Sequence, residues 1–326
     1  MKFAIIIKNR IENIYKKFPR VTGYIGRFAF TLCCLLILRT CCSYSELALL
    51  TGVWSAPVLS VFCAFAPARL LMLIIETYIV IQMFSLSIEV GLVAAAILLV
   101  IYLIFFRFDR SYIYLIMLIP LTSIIRLPVL MVLVLGVTGS LDSAAVVIFG
   151  NLIYYMIRYI NINAATITGM ANEESISRLS YVARGIFTYT EFLYMLAIMI
   201  VVFLLTYFLR RMNINQANYL ALTAGSGVYV ILCIIANLVT SAMTAQRLVN
   251  IVAGGIISGL IAAFTVYAVL PLDYTRLETF EFEDDEYHYY VRAVPKAVIK
   301  RETVKVKKIN SRKEVNLSKR GKENSQ

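Results

Sequence analysis

The chain has 326 residues, of which 60% are hydrophobic and 15% are charged, and its formal net charge is +12. A soluble domain is about half apolar and about a quarter charged, so this composition excludes an ordinary soluble globular protein. The apolar residues form runs near the length of a membrane-spanning helix. Nucleic-acid binding is not favoured, because the excess Lys and Arg residues lie mostly at the two chain ends, where they indicate membrane orientation and contact with anionic headgroups.

The six cysteines lie in or beside apolar runs, which argues against a disulfide framework. We interpret them as small buried apolar residues. The alternative is a metal or redox pair at Cys34 and Cys41, which share one face of a predicted helix. We predict neither a cofactor nor a metal site.

Residues 1–20 are predicted to form an amphipathic helix on the cytoplasmic surface of the membrane. Ile7, Ile11 and Ile14 recur at helical spacing, whereas Lys8 and Lys16 fall on another face. The segment is too basic for a secretory signal. Docking of this helix on a partner is the alternative interpretation.

Residues 21–270 are predicted to form an all-α, polytopic transmembrane helical bundle. The apolar stretch 112–140 is interrupted by Pro120, Arg126, Pro128 and Gly136, and it is predicted to be either one kinked span or a re-entrant pair of half-helices. The remaining apolar runs predict spans over residues 22–39, 47–66, 70–86, 88–106, 143–160, 189–209, 218–239 and 249–270.

Charge decides between the two forms of the stretch 112–140. A single crossing would leave Arg210, Arg211 and the basic C-terminal tail outside, against the usual enrichment of Lys and Arg in the cytoplasm. A re-entrant pair keeps these residues and both termini inside. We therefore predict about eight spans plus a re-entrant element, with a short cytoplasmic C-terminal appendage.

Three charged residues within the predicted bundle are candidates for a substrate or ion pathway: Glu76, Arg126 and Glu191. A charge at membrane depth is costly unless it is paired or hydrated, and such residues often mark transport sites. Glu76 and Arg126 are candidates for an ion pair across the bundle. The pair is either a transport site beside discontinuous helices or a structural contact that fixes helix register, and the structural interpretation is favoured.

The sequence shows no catalytic constellation. His288 is the only histidine, and no Gly-rich phosphate loop, HExxH, GxSxG or CxxC motif is present. We therefore predict that the protein is not an enzyme.

Residues 271–310 form an acidic and aromatic segment followed by a basic one, and we expect both in the cytoplasm. Alternating apolar residues around Val291 and again around Val304 predict two short strands, separated by Pro295. Residues 311–326 have no apolar period and are predicted to be disordered.

Aromatic residues interleaved with acidic ones indicate recognition of a protein partner, because such a strand can pair with the edge of a partner's sheet. A solvated acidic linker is an equally favoured interpretation, and a divalent cation site is a weaker one because the spacing does not match a calcium loop. The basic residues that follow are predicted to lie on an anionic inner leaflet. The partner-binding candidates are Phe280, Phe282, Asp284, Asp285, Tyr287, Tyr289 and Tyr290, and the membrane-surface candidates are Lys300, Arg301, Lys305, Lys307 and Lys308.

Several stretches resemble an uncharacterised family of bacterial polytopic membrane proteins. The resemblance is carried by residues 273–276, Glu278, residues 282–296, residues 126–128 and Gly136, and His288 and Arg292 depart from a pattern richer in Tyr and Lys. It implies a location in the bacterial cytoplasmic membrane and no particular activity.

Two functions fit these patterns. The leading hypothesis is a non-enzymatic scaffold or assembly protein that recruits a cytoplasmic or membrane protein partner through its tail. The alternative is a transporter or channel component with a site near the interrupted helix around Arg126.

Overall fold

The computed structural model describes residues 18–41, 55–108, 110–170, 175–212, 216–240, 245–269, 278–283 and 288–293. Residues 1–17, where most of the predicted surface helix falls, lie outside the described residues. So do the partner-binding candidates Asp284, Asp285 and Tyr287 and the membrane-surface candidates from Lys300 to Lys308.

The described residues form eleven helices and one pair of strands. The helices are α1 (Pro19–Cys41), α2 (Ser55–Phe65), α3 (Ala68–Phe84), α4 (Ile88–Phe105), α5 (Arg110–Ile124), α6 (Leu130–Thr138), α7 (Ser143–Gly169), α8 (Ser175–Thr188), α9 (Thr190–Leu209), α10 (Ala217–Thr240) and α11 (Ala245–Val269). The strands are β1 (Glu278–Glu283) and β2 (His288–Ala293).

Six helical stretches of the described chain are long and apolar enough to cross a membrane, which is the architecture of a multi-pass membrane protein. They are Val21–Thr40 in α1, Ile88–Phe105 (α4), Ser143–Gly169 (α7), Ser175–Leu209 (α8 with α9), Ala217–Thr240 (α10) and Leu248–Val266 in α11.

Helix α4 shows why these helices suit a bilayer. Its inner face carries Ala94, Leu98 and Ile101, which are buried, whereas Leu99 and Leu103 are each 59% exposed. Such an apolar outer face is unfavourable in water and favourable in hydrocarbon. A helix also satisfies its own backbone polar groups, as a hydrocarbon environment requires.

The predicted spans over residues 47–66 and 70–86 correspond to α2 and α3, and residues 47–54 lie outside the described residues. Helix α2 covers the described part of the first run, with 11 residues, and α3 has 17 residues and is about 26 Å long, against about 30 Å for the hydrocarbon core. The six stretches named above are the spans that the described residues support.

The predicted interruption within residues 112–140 lies at one place only. Pro120 is inside α5 and Gly136 is inside α6, so neither ends a helix, contrary to the prediction. The break between α5 and α6 is confined to residues 125–129. The interior proline is tolerated as it commonly is in membrane helices, where neighbouring groups adjust around the missing bond.

Helix α5 ends in a Schellman motif centred on Arg126. The Leu127 amide donates to the Thr122 carbonyl at 2.8 Å, and the Arg126 amide donates to the Ser123 carbonyl at 3.2 Å. Arg126 has a φ of 70°, the left-handed conformation that this motif requires and that glycine usually supplies. Pro128 follows, and it prevents the helix from resuming in register.

After the break the chain turns back on itself. Tyr112 near the start of α5 and Ser140 just after α6 are joined by a hydrogen bond between their hydroxyls. Arg210, which follows α9, donates to the carbonyl of Val137 and, at 2.5 Å, to that of Gly139. Helices α5 and α6 therefore form a hairpin whose two ends lie at the same end of the bundle, with the last carbonyls of α6 satisfied by Arg210.

Helix α7 lies at the centre of the bundle, where it contacts α4, α5, α6, α8 and α9. Val146, Ile153, Met156 and Ile160 follow helical spacing and are fully buried against these neighbours. Helix α11 covers the break from the other side and contacts α6 and α10.

The two strands pair antiparallel, with Phe280 opposite Val291 and Phe282 opposite Tyr289. The strand expected around Val291 therefore exists, but its partner is Glu278–Glu283, whereas the partner predicted around Val304 falls outside the described residues.

Candidate functional site

The break between α5 and α6 opens onto a cavity of about 230 Å³, which we name the break cavity. It combines charged, aromatic and small polar side chains from α5, α7, α9, α10 and α11. Its lining residues are Ser123, Arg126, Pro128, Tyr154, Tyr155, Arg158, Glu191, Met195, Tyr229, Asn250 and Ile251.

An ion pair lies on one wall of the break cavity. Arg158 Nε is 3.4 Å from Glu191 Oε1, and the side chain of Glu191 is the more buried of the two. The Tyr189 hydroxyl donates to Glu191 Oε2 at 2.7 Å, and Arg158 Nη1 lies 3.4 Å from the Tyr154 hydroxyl. Glu191 is in the first turn of α9, where the helix dipole favours a negative charge.

Arg126 occupies the rim of the cavity and is exposed. Its backbone is pressed against α11 at Gly254, where an added Cβ would be only 2.2 Å from the Arg126 carbonyl oxygen. Glycine at 254 therefore permits the close approach of α11 to the break. Within the described chain, no carboxylate forms an ion pair with Arg126.

Tyrosine rings form much of the remaining wall. The rings of Tyr154 and Tyr155 are 4.9 Å apart and nearly perpendicular, and Tyr155 also contacts Phe192. Tyr229 is fully buried. Such side chains offer both an apolar surface and a hydroxyl, so the cavity can bind a solute that has apolar and polar parts.

The candidate pair of Glu76 and Arg126 does not form in the described structure. Glu76 is buried in α3 on the side that faces α4, and it lines a separate, largely apolar cavity of about 220 Å³ with residues such as Leu99 and Tyr102. Arg126 packs on α11 instead. Among the described residues, Glu76 Oε1 has no hydrogen-bond partner. Of the three pathway candidates, the structure brings Arg126 and Glu191 together and leaves Glu76 apart.

Arg158 is a residue that the sequence interpretation missed. It is a lone arginine inside the apolar run over residues 143–160, and it follows Tyr154 at a spacing that places both on one helix face. This spacing, together with the expectation that a carboxylate such as Glu191 at membrane depth is paired with a cation, could have identified Arg158 as a site residue.

No group of His, Cys, Asp and Glu in the described ranges has the arrangement of a metal site. Comparisons with protein-family models, curated proteins and solved structures found no match for the chain. The resemblance to a bacterial membrane family therefore remains an expectation.

Proposed function

We propose that the protein is a transporter or channel component in which the break cavity holds a small polar solute. The observation that carries this proposal is the position of Arg126, at a helix break beside the partly buried Arg158–Glu191 pair. Broken helices and intramembrane charges that line a cavity are the usual construction of solute sites in membrane transporters.

The same proposal includes a membrane topology. The hairpin of α5 and α6 enters and leaves on one side, as a re-entrant element among about eight spans when α2 and α3 are counted with the six long stretches, and that side carries Arg107, Arg210 and Arg211. Enrichment of basic residues makes it the cytoplasmic side, so both termini are cytoplasmic. The membrane is the bacterial cytoplasmic membrane, as the family resemblance implies.

Access to Ser123 tests the transport proposal without knowledge of the substrate. Ser123 lines the break cavity, so Ser123→Cys is introduced into a chain whose native cysteines have been replaced. A membrane-impermeant thiol reagent is then added to sealed vesicles of either orientation. A transport pathway predicts reaction from both sides, through alternating or continuous access, and reaction from one side or from neither overturns the proposal.

Ser258→Cys is the matched control for this experiment. Ser258 is a fully buried serine in α11 that does not line the break cavity. It is expected to stay unreactive from both sides. Rapid modification of Ser258→Cys would show that the bundle is loosened in general, and the comparison would then be repeated in intact membranes.

We infer a second candidate function, a scaffold that recruits a partner through the strand pair. The register puts Phe280 opposite Val291 and Phe282 opposite Tyr289, all on the same face because side chains alternate along a strand. A two-stranded hairpin alone is marginally stable in water, and a partner that covered this face would stabilise it.

The face assignment gives a paired test of the scaffold function. Phe280→Glu with Val291→Glu alters the apolar face, whereas Thr279→Glu with Arg292→Glu alters the other face at a neighbouring paired position. A crosslinked pull-down from native membranes is expected to lose its partner only with the first double variant. Retention of the same partner by that variant, or by a chain lacking residues 279–326, excludes the scaffold function.

A further inference from the structure

The charges that line the break cavity do not balance. Its lining contains two arginines, Arg126 and Arg158, and one carboxylate, Glu191. Glu191 is already engaged by Arg158 at 3.4 Å and by the Tyr189 hydroxyl at 2.7 Å. The lining therefore carries a surplus positive charge, and Arg126 is the residue that contributes it.

The left-handed backbone conformation of Arg126 is unfavourable for a residue with a side chain. A residue with a side chain in the left-handed region costs about 1 kcal/mol or more relative to glycine, and glycine would serve the Schellman motif better. Arg126 nevertheless has a φ of 70° at the mouth of the cavity. Its long cationic side chain at this position is therefore best explained by something that it binds.

A second cavity with a cationic lining lies on the other side of Tyr189. This α8 cavity has a volume of about 610 Å³, and its described lining includes Arg184, Tyr159 and Tyr181 but no carboxylate. The Tyr189 ring lies between the two cavities, 6.4 Å from the ring of Tyr155 and 5.7 Å from that of Tyr159. Cationic lining on both sides of Tyr189 raises the local concentration of anions.

We propose that the break cavity binds an anionic group, a carboxylate or a phosphate, through Arg126, with Arg158 held in place by Glu191. A guanidinium can make two parallel hydrogen bonds to either oxyanion. The cavity volume of about 230 Å³ restricts the bound part to a small anion or to the headgroup of an anionic lipid. This inference rests on the break cavity being the site of the proposed function.

Thermal unfolding of the full chain in lipid nanodiscs tests the anion site. Sodium phosphate and sodium succinate are titrated at constant ionic strength in phosphatidylcholine nanodiscs. A ligand that binds only the folded state raises the unfolding temperature, by about 2–4 °C for each tenfold increase in concentration above its Kd. A parallel series without added anion compares phosphatidylcholine with a mixture containing phosphatidylglycerol.

Substitutions of Arg126 test whether this residue is responsible for any anion-dependent rise in the unfolding temperature. Arg126→Gln removes the charge, and Arg126→Lys keeps the charge without the planar fork. Arg107→Gln is the matched control, since Arg107 is an exposed arginine that lines neither cavity. We expect the shift in the wild-type chain and in Arg107→Gln, a smaller one in Arg126→Lys, and none in Arg126→Gln.

The outcomes separate the sources of the anion. An Arg126-dependent shift with phosphate or succinate supports a free anion, and one seen only with phosphatidylglycerol supports a lipid headgroup. Equal shifts in wild type and Arg126→Gln, or no shift with any probe, overturn the anion site. Two-sided access of Ser123→Cys is measured separately, so an anion site without transport and transport without an anion site are distinguishable.

Discussion

The Tyr112 hydroxyl lies 2.9 Å from the Ser140 hydroxyl, although the two residues are 28 positions apart in the chain. An uninterrupted helix of that length would separate them by about 42 Å. The contact is possible only because the chain reverses at the break after α5. The break thus brings Arg126 to the tip of a hairpin rather than to the middle of a kinked rod.

Crosslinking tests the hairpin directly. With Tyr112→Cys and Ser140→Cys in a cysteine-free chain, a short bifunctional thiol crosslinker is expected to join the two positions within one molecule in native membranes. The control pairs Tyr112→Cys with Ile125→Cys at the tip, about 20 Å away along α5. Crosslinking of the control pair but not of the first pair, detected as a peptide mass, would be incompatible with the hairpin.

Substitution of Gly254 is expected to push α11 away from the break. In Gly254→Ala the new Cβ meets the Arg126 carbonyl oxygen at 2.2 Å, and backbone atoms have little freedom to yield. We expect a loss of about 1–3 kcal/mol in the free energy of unfolding, measured by denaturant titration in mixed micelles.

Gly227 provides the control for this substitution. An added Cβ there meets nothing within 4 Å, and the residue lies inside α10. Gly227→Ala is expected to be neutral or to stabilise by up to about 1 kcal/mol, through helix propensity. Equal destabilisation by both substitutions would show that close packing at Gly254 is unimportant.

Two substitutions of Arg126 separate its backbone strain from its side-chain chemistry. Arg126→Ala and Arg126→Gly both remove the guanidinium, but only glycine relieves the left-handed conformation. We expect Arg126→Gly to be more stable than Arg126→Ala by about 1 kcal/mol, while both lose the anion-dependent rise in unfolding temperature. If the two variants are equally stable, the left-handed φ of 70° carries no strain.

Removing one partner of the Arg158–Glu191 pair is expected to lower the free energy of unfolding by a different amount from removing the other. The exposed fraction of the Arg158 side chain is 26%, against 6% for Glu191, so Arg158→Gln strands the more deeply buried charge and should destabilise more than Glu191→Gln. Losses of about 1–3 kcal/mol are reasonable for a partly buried pair. Unfolding of the double variant completes a thermodynamic cycle, and strictly additive losses would indicate that the two charges do not interact.

The long helices were predictable from the sequence because a run of apolar residues near twenty has few alternatives. An interruption within residues 112–140 was also predictable, but its restriction to residues 125–129 was not. Proline and glycine often end helices, yet Pro120 and Gly136 both lie within helices. The break lies at Arg126 and packs against Gly254 of α11, which is remote in sequence.

The pairing of charges could not be read from the chain. Glu76 and Arg126 are the right types of residue to pair, but which faces of α3 and α5 meet depends on packing among several helices. Arg158 was overlooked for a different reason. It lies in an otherwise apolar run beside Tyr154, and its identity as a partner of Glu191 appears only when α7 and α9 are side by side.

The bonds from Arg210 to Val137 and Gly139 have a mechanical consequence. Helix α9 carries Glu191 in its first turn, and Arg210 follows its last residue. The base of the α5–α6 hairpin and the ion pair at the cavity are thus attached to opposite ends of one stiff rod. Any sliding of the hairpin base along the bundle axis would be transmitted through α9 to Glu191 and its hydrogen bond with Tyr189, more than a membrane leaflet away.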